Sequence, residues 1–174
     1  MIDLNKLAAE IHAAAVEKGF WDVEDAESKH IAKMISELGE IVQADRAGVM
    51  YEVEHDGAKP EGVIAEIADY VMMALDLLKH LEADFAVIPE VCADYSGLKQ
   101  LCANYNAYEV ALVLSAKLIA YASKVEDETS GSDLAFTIYI ASAWAEAHGY
   151  DLWEVILQKI EYNKSRPALH GRLY

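Results

Sequence analysis

Apolar residues recur at intervals of three and four along most of this chain, the spacing that lines up one face of an α-helix. Leu4, Leu7, Ala8, Ile11, Ala14 and Ala15 share such a face over residues 3–18, with Asp3 placed to cap the start and Gly19 to end the run. A second stripe, Ile31, Met34, Ile35, Leu38 and Val42, predicts a helix over about 25–46 that stops before Gly48. Residues 48–62 mix glycine, proline and charge without a period, and read as a loop closing on Lys59-Pro60-Glu61-Gly62. From 63 to 78 the chain is apolar on almost every side. Met72 and Met73 stand where a solvated face would be, and the charges are Glu66, Asp69 and Asp76, a pattern that predicts a third helix, running to about 81, buried all round.

The segment after it breaks at Ile88-Pro89, resumes helical periodicity up to Ser123 and closes in a loop, Glu126-Asp127-Glu128-Thr129-Ser130-Gly131-Ser132, which leaves room for one or two helices. A last helical block begins near Asp133 and is interrupted at Gly149. It reopens with Asp151-Leu152-Trp153-Glu154, an acidic form of the capping box, and stops near Arg166 because Pro167 disfavours helix in the residue before it. The expected fold class is all-α, a bundle of about five to seven helices forming a single domain over residues 1–174.

Composition supports helices over a turn-rich β architecture, with only 9 glycines and 3 prolines. The formal net charge of -16 sets a nucleic-acid duplex and an anionic membrane aside as main partners, since both would repel the chain. The apolar run from Val110 to Ala122 is interrupted by Lys117 and is shorter than the roughly 20 residues of a membrane span, so it predicts a core or interface helix. Met1-Ile2-Asp3-Leu4 offers neither a basic stretch nor a long apolar one, and a cytoplasmic location is expected. Cys92 and Cys102 are expected to be free buried thiols.

Two carboxylate pairs change this picture. Glu37-Leu38-Gly39-Glu40 and Glu66-Ile67-Ala68-Asp69 each place two acids three residues apart, on neighbouring positions of one helix face. Each pair has the same angular offset from its own apolar stripe, so packing the stripes together would bring all four acids to one place. Such a quartet must take up protons or bind cations. Oxygen ligands without His or Cys suit Mg²⁺, with Mn²⁺ as a substitute, rather than zinc or copper. The competing reading is two solvated helix faces. Lys159, Asn163 and Arg166, spaced by four and three, could grip phosphate oxygens or merely complement a helix C-terminus. Phe20 and Trp21 could stack on a base or belong to the core, and His30 could line the same pocket or be structural.

In order, Ser36-Glu37-Leu38-Gly39-Glu40, Ala44-Asp45-Arg46-Ala47-Gly48, Lys59-Pro60-Glu61-Gly62, Glu66-Ile67-Ala68-Asp69, and a C-terminal block from Lys159-Ile160-Glu161-Tyr162-Asn163-Lys164-Ser165-Arg166-Pro167 to His170-Gly171 resemble the compact MazG-like proteins of bacteria and phages. These are members of the all-α nucleoside triphosphate pyrophosphohydrolases that include MazG, the dimeric dUTPases and phosphoribosyl-ATP pyrophosphohydrolase. The resemblance covers residues 1 to about 82 and about 139 to 171, and makes 83–138 a helical insertion atypical of the family. It implies magnesium-dependent hydrolysis of a nucleoside triphosphate, expected to be a deoxynucleotide, to the monophosphate and pyrophosphate. Glu37, Glu40, Glu66 and Asp69 would be the metal ligands, and Glu37 or Glu40 would accept the water's proton. Lys159, Asn163 and Arg166 would clamp the phosphates, with Lys59 a lesser candidate, and the assembly would be a homodimer or homotetramer. Ser36 stands where the fuller family pattern has a further glutamate. Two other readings of the residues are a non-catalytic helical module and a carboxylate-bridged di-iron bundle, the latter from Glu27-Ser28-Lys29-His30 and Glu52-Val53-Glu54-His55.

Overall fold

The computed structural model describes residues 2–55, 58–83, 85, 95–123 and 130–166. Asp3 accepts the Lys6 amide at 3.1 Å and opens α1 (Leu4–Glu17), which Gly19 follows with φ +79°. A second helix, α2 (Ala26–Ala47), ends on Gly48 in the left-handed conformation, whose amide returns to the final turn. Its buried side chains are Met34, Glu37, Leu38 and Ile41, whereas Ile35 is 51% exposed. The inward stripe is thus rotated towards Glu37 and Ile41 from the one expected, because α2 must face α3 and α5 at once.

The central element is α3 (Val63–His80). It packs against α1, α2, α6 (Ser130–Ala147) and α7 (Leu152–Lys164), and thirteen of its residues, Val63 to Ala68 and Tyr70 among them, are buried. Its start is capped by backbone rather than by a side chain: the Val63 and Ile64 amides donate to the carbonyls of Val49 and Met50, both at 3.0 Å. The loop can pass that closely only because residue 62 is glycine. Gly62 has φ +100°, and a Cβ there would meet the Met50 backbone at 2.9 Å. Glu52 and Glu61 exchange amide–carbonyl bonds of 3.0 and 2.9 Å and fold the loop back on itself.

The all-α expectation is met, with seven helices among the described residues. Two of them, α4 (Tyr95–Cys102) and α5 (Ala107–Ser123), lie in the stretch read as an insertion. They are built into the core: Cys102, Val110, Leu114 and Leu118 are fully buried, α5 packs between α2 and α6, and α4 packs on α6. The upper bound set for that stretch, residue 138, falls inside α6. The loop expected over 126–132 ends earlier, since Ser130, Gly131 and Ser132 already belong to α6. The break at Ile88-Pro89, Cys92, Glu126 to Thr129, Pro167 and His170-Gly171 lie outside the described residues. Cys102 is a free, buried thiol.

On α5 the inward residues Val110, Leu114 and Leu118 are buried while Tyr108, Leu112 and Ile119 are 49%, 67% and 58% exposed. Together with Ile35 of α2 they leave an apolar outer face. No described helix is long and apolar enough to cross a membrane. Asp151 caps α7 by accepting the Trp153 and Glu154 amides, as the acidic capping box predicts.

Candidate metal centre and its cleft

The i, i+3 acids of α2 and the first turn of α3 meet. One carboxylate oxygen from each of Glu37, Glu40 and Glu66 lies within 4.8 Å of the others. Glu37 and Glu66 are buried and Glu40 is exposed, so the triad has a closed side in the core and an open side towards solvent. Asp69 takes a different role. Its carboxylate pairs with the Lys159 ammonium, which is itself buried with 2% exposure. Three acids converge, then, and the fourth stands beside them already neutralised by a lysine from α7.

The electrostatics follow from that placement. Burial, reinforced by the negative charges of Asp69, Glu40 and Glu66 and opposed by Lys33, pushes the Glu37 carboxyl up from 4.5 to about 7. Glu66 is also raised, first by burial, although Lys159 and Lys59 pull the other way. For Lys59 the balance reverses: burial disfavours its charge, but Glu66, Glu61 and Asp69 outweigh that and hold its pKa above the ordinary lysine range. The acids thus form a pool of negative charge too crowded to ionise fully without a cation, and their all-oxygen chemistry fits a hard divalent ion.

A cleft of about 1110 Å³ opens from this triad and runs along α3. Glu66, Asp69, Met73 and Asp76 form one stripe of α3 along its wall, at intervals of three, four and three. The facing stripe of α2 is Lys29, Lys33, Glu37 and Glu40. Of the sequence candidates, Lys59, His30, Asn163 and Arg166 also line the cleft. Lys159 supports the site from behind as the partner of Asp69 and is not part of the lining. Arg166 lies just past the end of α7, where its guanidinium donates to the Asn163 side-chain oxygen at 3.3 Å.

Trp21 is likewise set behind the cleft. Its ring stacks on His80 at 3.9 Å and on His30 at 5.0 Å between centroids, and its indole N–H donates to Asp76 at 3.1 Å. Packed in this way it is a wall support, whereas Phe20 lines the cleft, as Tyr162 does, with the Lys33 ammonium 4.9 Å from the Phe20 ring centroid. Burial lowers the His30 pKa despite the nearby Asp76, and its Nε2–H donates to the Met73 carbonyl at 2.9 Å.

Several residues that shape the site carry no motif. Lys33 is one of them, and its one signal in the sequence is that it falls in step with Lys29, Glu37 and Glu40 along one face of α2. Lys18 donates to the carbonyls of Asn163 and Arg166 and so ties the end of α1 to the end of α7, a contact of long sequence separation that no local pattern announces. Among the described residues, neither Glu27 and His30 nor Glu52 and His55 join the carboxylate triad. Glu27 accepts the Tyr121 hydroxyl, and Glu52 and His55 lie in the loop. No protein-family model, curated protein or solved structure matches this chain.

Proposed function

We propose that the protein is a magnesium-dependent, MazG-like nucleoside triphosphate pyrophosphohydrolase that converts a nucleoside triphosphate, expected to be a deoxynucleotide, to the monophosphate and pyrophosphate. The observation that carries this reading is the meeting of Glu37, Glu40 and Glu66 at one end of a cleft long enough for a nucleotide. Glu37, Glu40 and Glu66, with Asp69 beside them, would hold Mg²⁺ or its substitute Mn²⁺. When bound, such an ion polarises phosphate oxygens and lowers the pKa of a coordinated water.

The chain's own groups divide the remaining work. Glu37 or Glu40 accepts the attacking water's proton. Lys59, Lys33 and Arg166 line the cleft and offset the charge of the phosphates, and Asn163 holds the Arg166 guanidinium. Lys159 fixes Asp69, and through it the register of α7 against α3. The exposed apolar face of α5 supports a homodimer or homotetramer.

The test is pyrophosphate release from a panel of NTPs and dNTPs as Mg²⁺ is titrated, alongside Glu66→Gln. Magnesium-dependent release that Glu66→Gln abolishes is expected. A wild-type protein that releases no pyrophosphate from any of them, or a variant of unchanged turnover, would refute the reading.

A further inference from the structure

The cleft continues well beyond the acids, and its far end is built around a buried carboxylate for which the hydrolytic machinery has no use. Asp76 is 3% exposed yet lines the cleft. It lies seven residues beyond Asp69, two turns along the same stripe of α3, or roughly 10 Å at 1.5 Å per residue. Between the two ends α3 presents Met72 and Met73, and Ile11 and Ala14 of α1 and Phe20 add further apolar lining beside Lys29 and Lys33 of α2.

Asp76 is immobilised from several sides. His12 of α1 donates its Nδ1–H to Oδ1 at 2.6 Å, and the Trp21 indole N–H reaches both oxygens, at 3.1 and 3.3 Å. His30 of α2 approaches Oδ2 no closer than 3.8 Å while donating to the Met73 carbonyl. A carboxylate has about four acceptor positions. His12 and Trp21 concentrate on Oδ1, so Oδ2 retains capacity for a strong donor. Burying a charge for fold stability alone is a poor exchange against an apolar side chain, whereas a fixed buried acceptor on the wall of a ligand cleft gives orientation and selectivity.

We propose that Asp76 reads the base of the nucleotide and selects bases that carry an exocyclic amine. This rests on the nucleotide reading above. With the phosphates at the acid end, a nucleoside lying over Met72 and Met73 brings its base edge to Asp76. An amine there donates to Oδ2. A keto group in the same place sets its oxygen lone pairs against the carboxylate, leaving the keto oxygen buried without a donor and the remaining capacity of Oδ2 unfilled. Stacking by Phe20 and the methionine side chains is indifferent to that distinction. The amine preference therefore resides in Asp76, and Trp21 and His12 are positioning residues that hold it.

Two matched pairs probe the group, because dCTP and dUTP, or dATP and dITP, exchange the amine for a keto oxygen at one position, together with an acceptor for an N–H at the adjoining ring nitrogen. We expect the wild-type protein to favour the amine member of a pair by about 10- to 100-fold in kcat/KM, the range of one hydrogen bond to a charged group. The corresponding monophosphates should show the same order of affinity by calorimetry, which needs no turnover. Asp76→Asn, whose amide can donate to a keto oxygen, should abolish or invert the preference, chiefly through KM. Equal handling of both members, a keto preference in the wild type, or a folded Asp76→Asn protein that keeps the amine preference would overturn the proposal. The wild-type comparison decides it even if the variant does not fold. Matched monophosphates that bind with the amine preference but triphosphates that are not hydrolysed would uphold the base reading and defeat the hydrolytic one; failure to bind any of them would overturn both.

Discussion

Crowding at the triad sets a stability penalty that a single atom exchange should release. Glu37 titrates near 4.5 when solvated and at about 7 in the folded chain, with burial and the charges of Asp69, Glu40 and Glu66 as the causes. Between those two values the native state holds a proton that the unfolded state has lost, so stability falls as pH rises through this window, and the whole cost is present above about pH 7. At 1.36 kcal/mol per pH unit, the rise corresponds to about 3 kcal/mol in the metal-free protein. Glu37→Gln removes the charge and keeps the shape. In chelator at pH 8 it should melt roughly 6–12 °C above wild type, at about 2–4 °C per kcal/mol for a chain of this size. At pH 4.5 or below the difference should vanish, because wild-type Glu37 is then protonated in the folded chain. Millimolar Mg²⁺ should raise the wild-type melting temperature at pH 8 and leave the variant much less affected. A variant that melts at or below wild type at pH 8 in chelator, with no narrowing of the gap at low pH, would show that the acids do not crowd as described.

Other substitutions probe neighbouring features. Asp69→Ala leaves the buried Lys159 without its partner and should cost about 2 kcal/mol after allowing for the partial exposure of Asp69, as well as activity, when measured by urea unfolding; an unchanged midpoint would refute the pairing. Glu66→Ala, which relieves repulsion, should cost activity with little loss of stability in the same measurement. Lys33→Met removes the positive charge that opposes the rise at Glu37, so the acid limb of the Mg²⁺-dependent pH–rate profile should move to higher pH, and an unmoved limb would place Lys33 elsewhere. Gly62→Ala, with φ +100° and no room for a Cβ, should destabilise by more than about 1 kcal/mol and shift the urea midpoint accordingly. Leu112→Glu should convert an oligomer to monomer in light scattering; a wild-type monomer would remove the role given to the α5 face.

The helices and their stops were legible because caps and period are local. Asp3, Gly19, Gly48 and Asp151 act where the pattern puts them. The meeting of Glu37, Glu40 and Glu66 was legible too, since it depends on two regular helices packing by their apolar stripes. What the pattern could not convey is how charges are shared once the helices meet. Lys159 reads as a surface clamp from its spacing, yet it lies buried against Asp69 because α7 packs directly on α3. Asp76 reads as one more acid on a buried helix, and its meaning depends on His12, Trp21 and His30, which come from 46 to 64 residues away in sequence. Ile35 looked like core because a stripe drawn on one helix cannot register a second neighbour such as α5.

Wrapped by four other helices, α3 carries both Glu66 and Asp76. Its amides should be among the last in the molecule to exchange with deuterium, because so many of its residues are buried against those neighbours. Glu66 and Asp76, at the two ends of the cleft, are therefore held at a fixed separation on one buried helix before any ligand arrives.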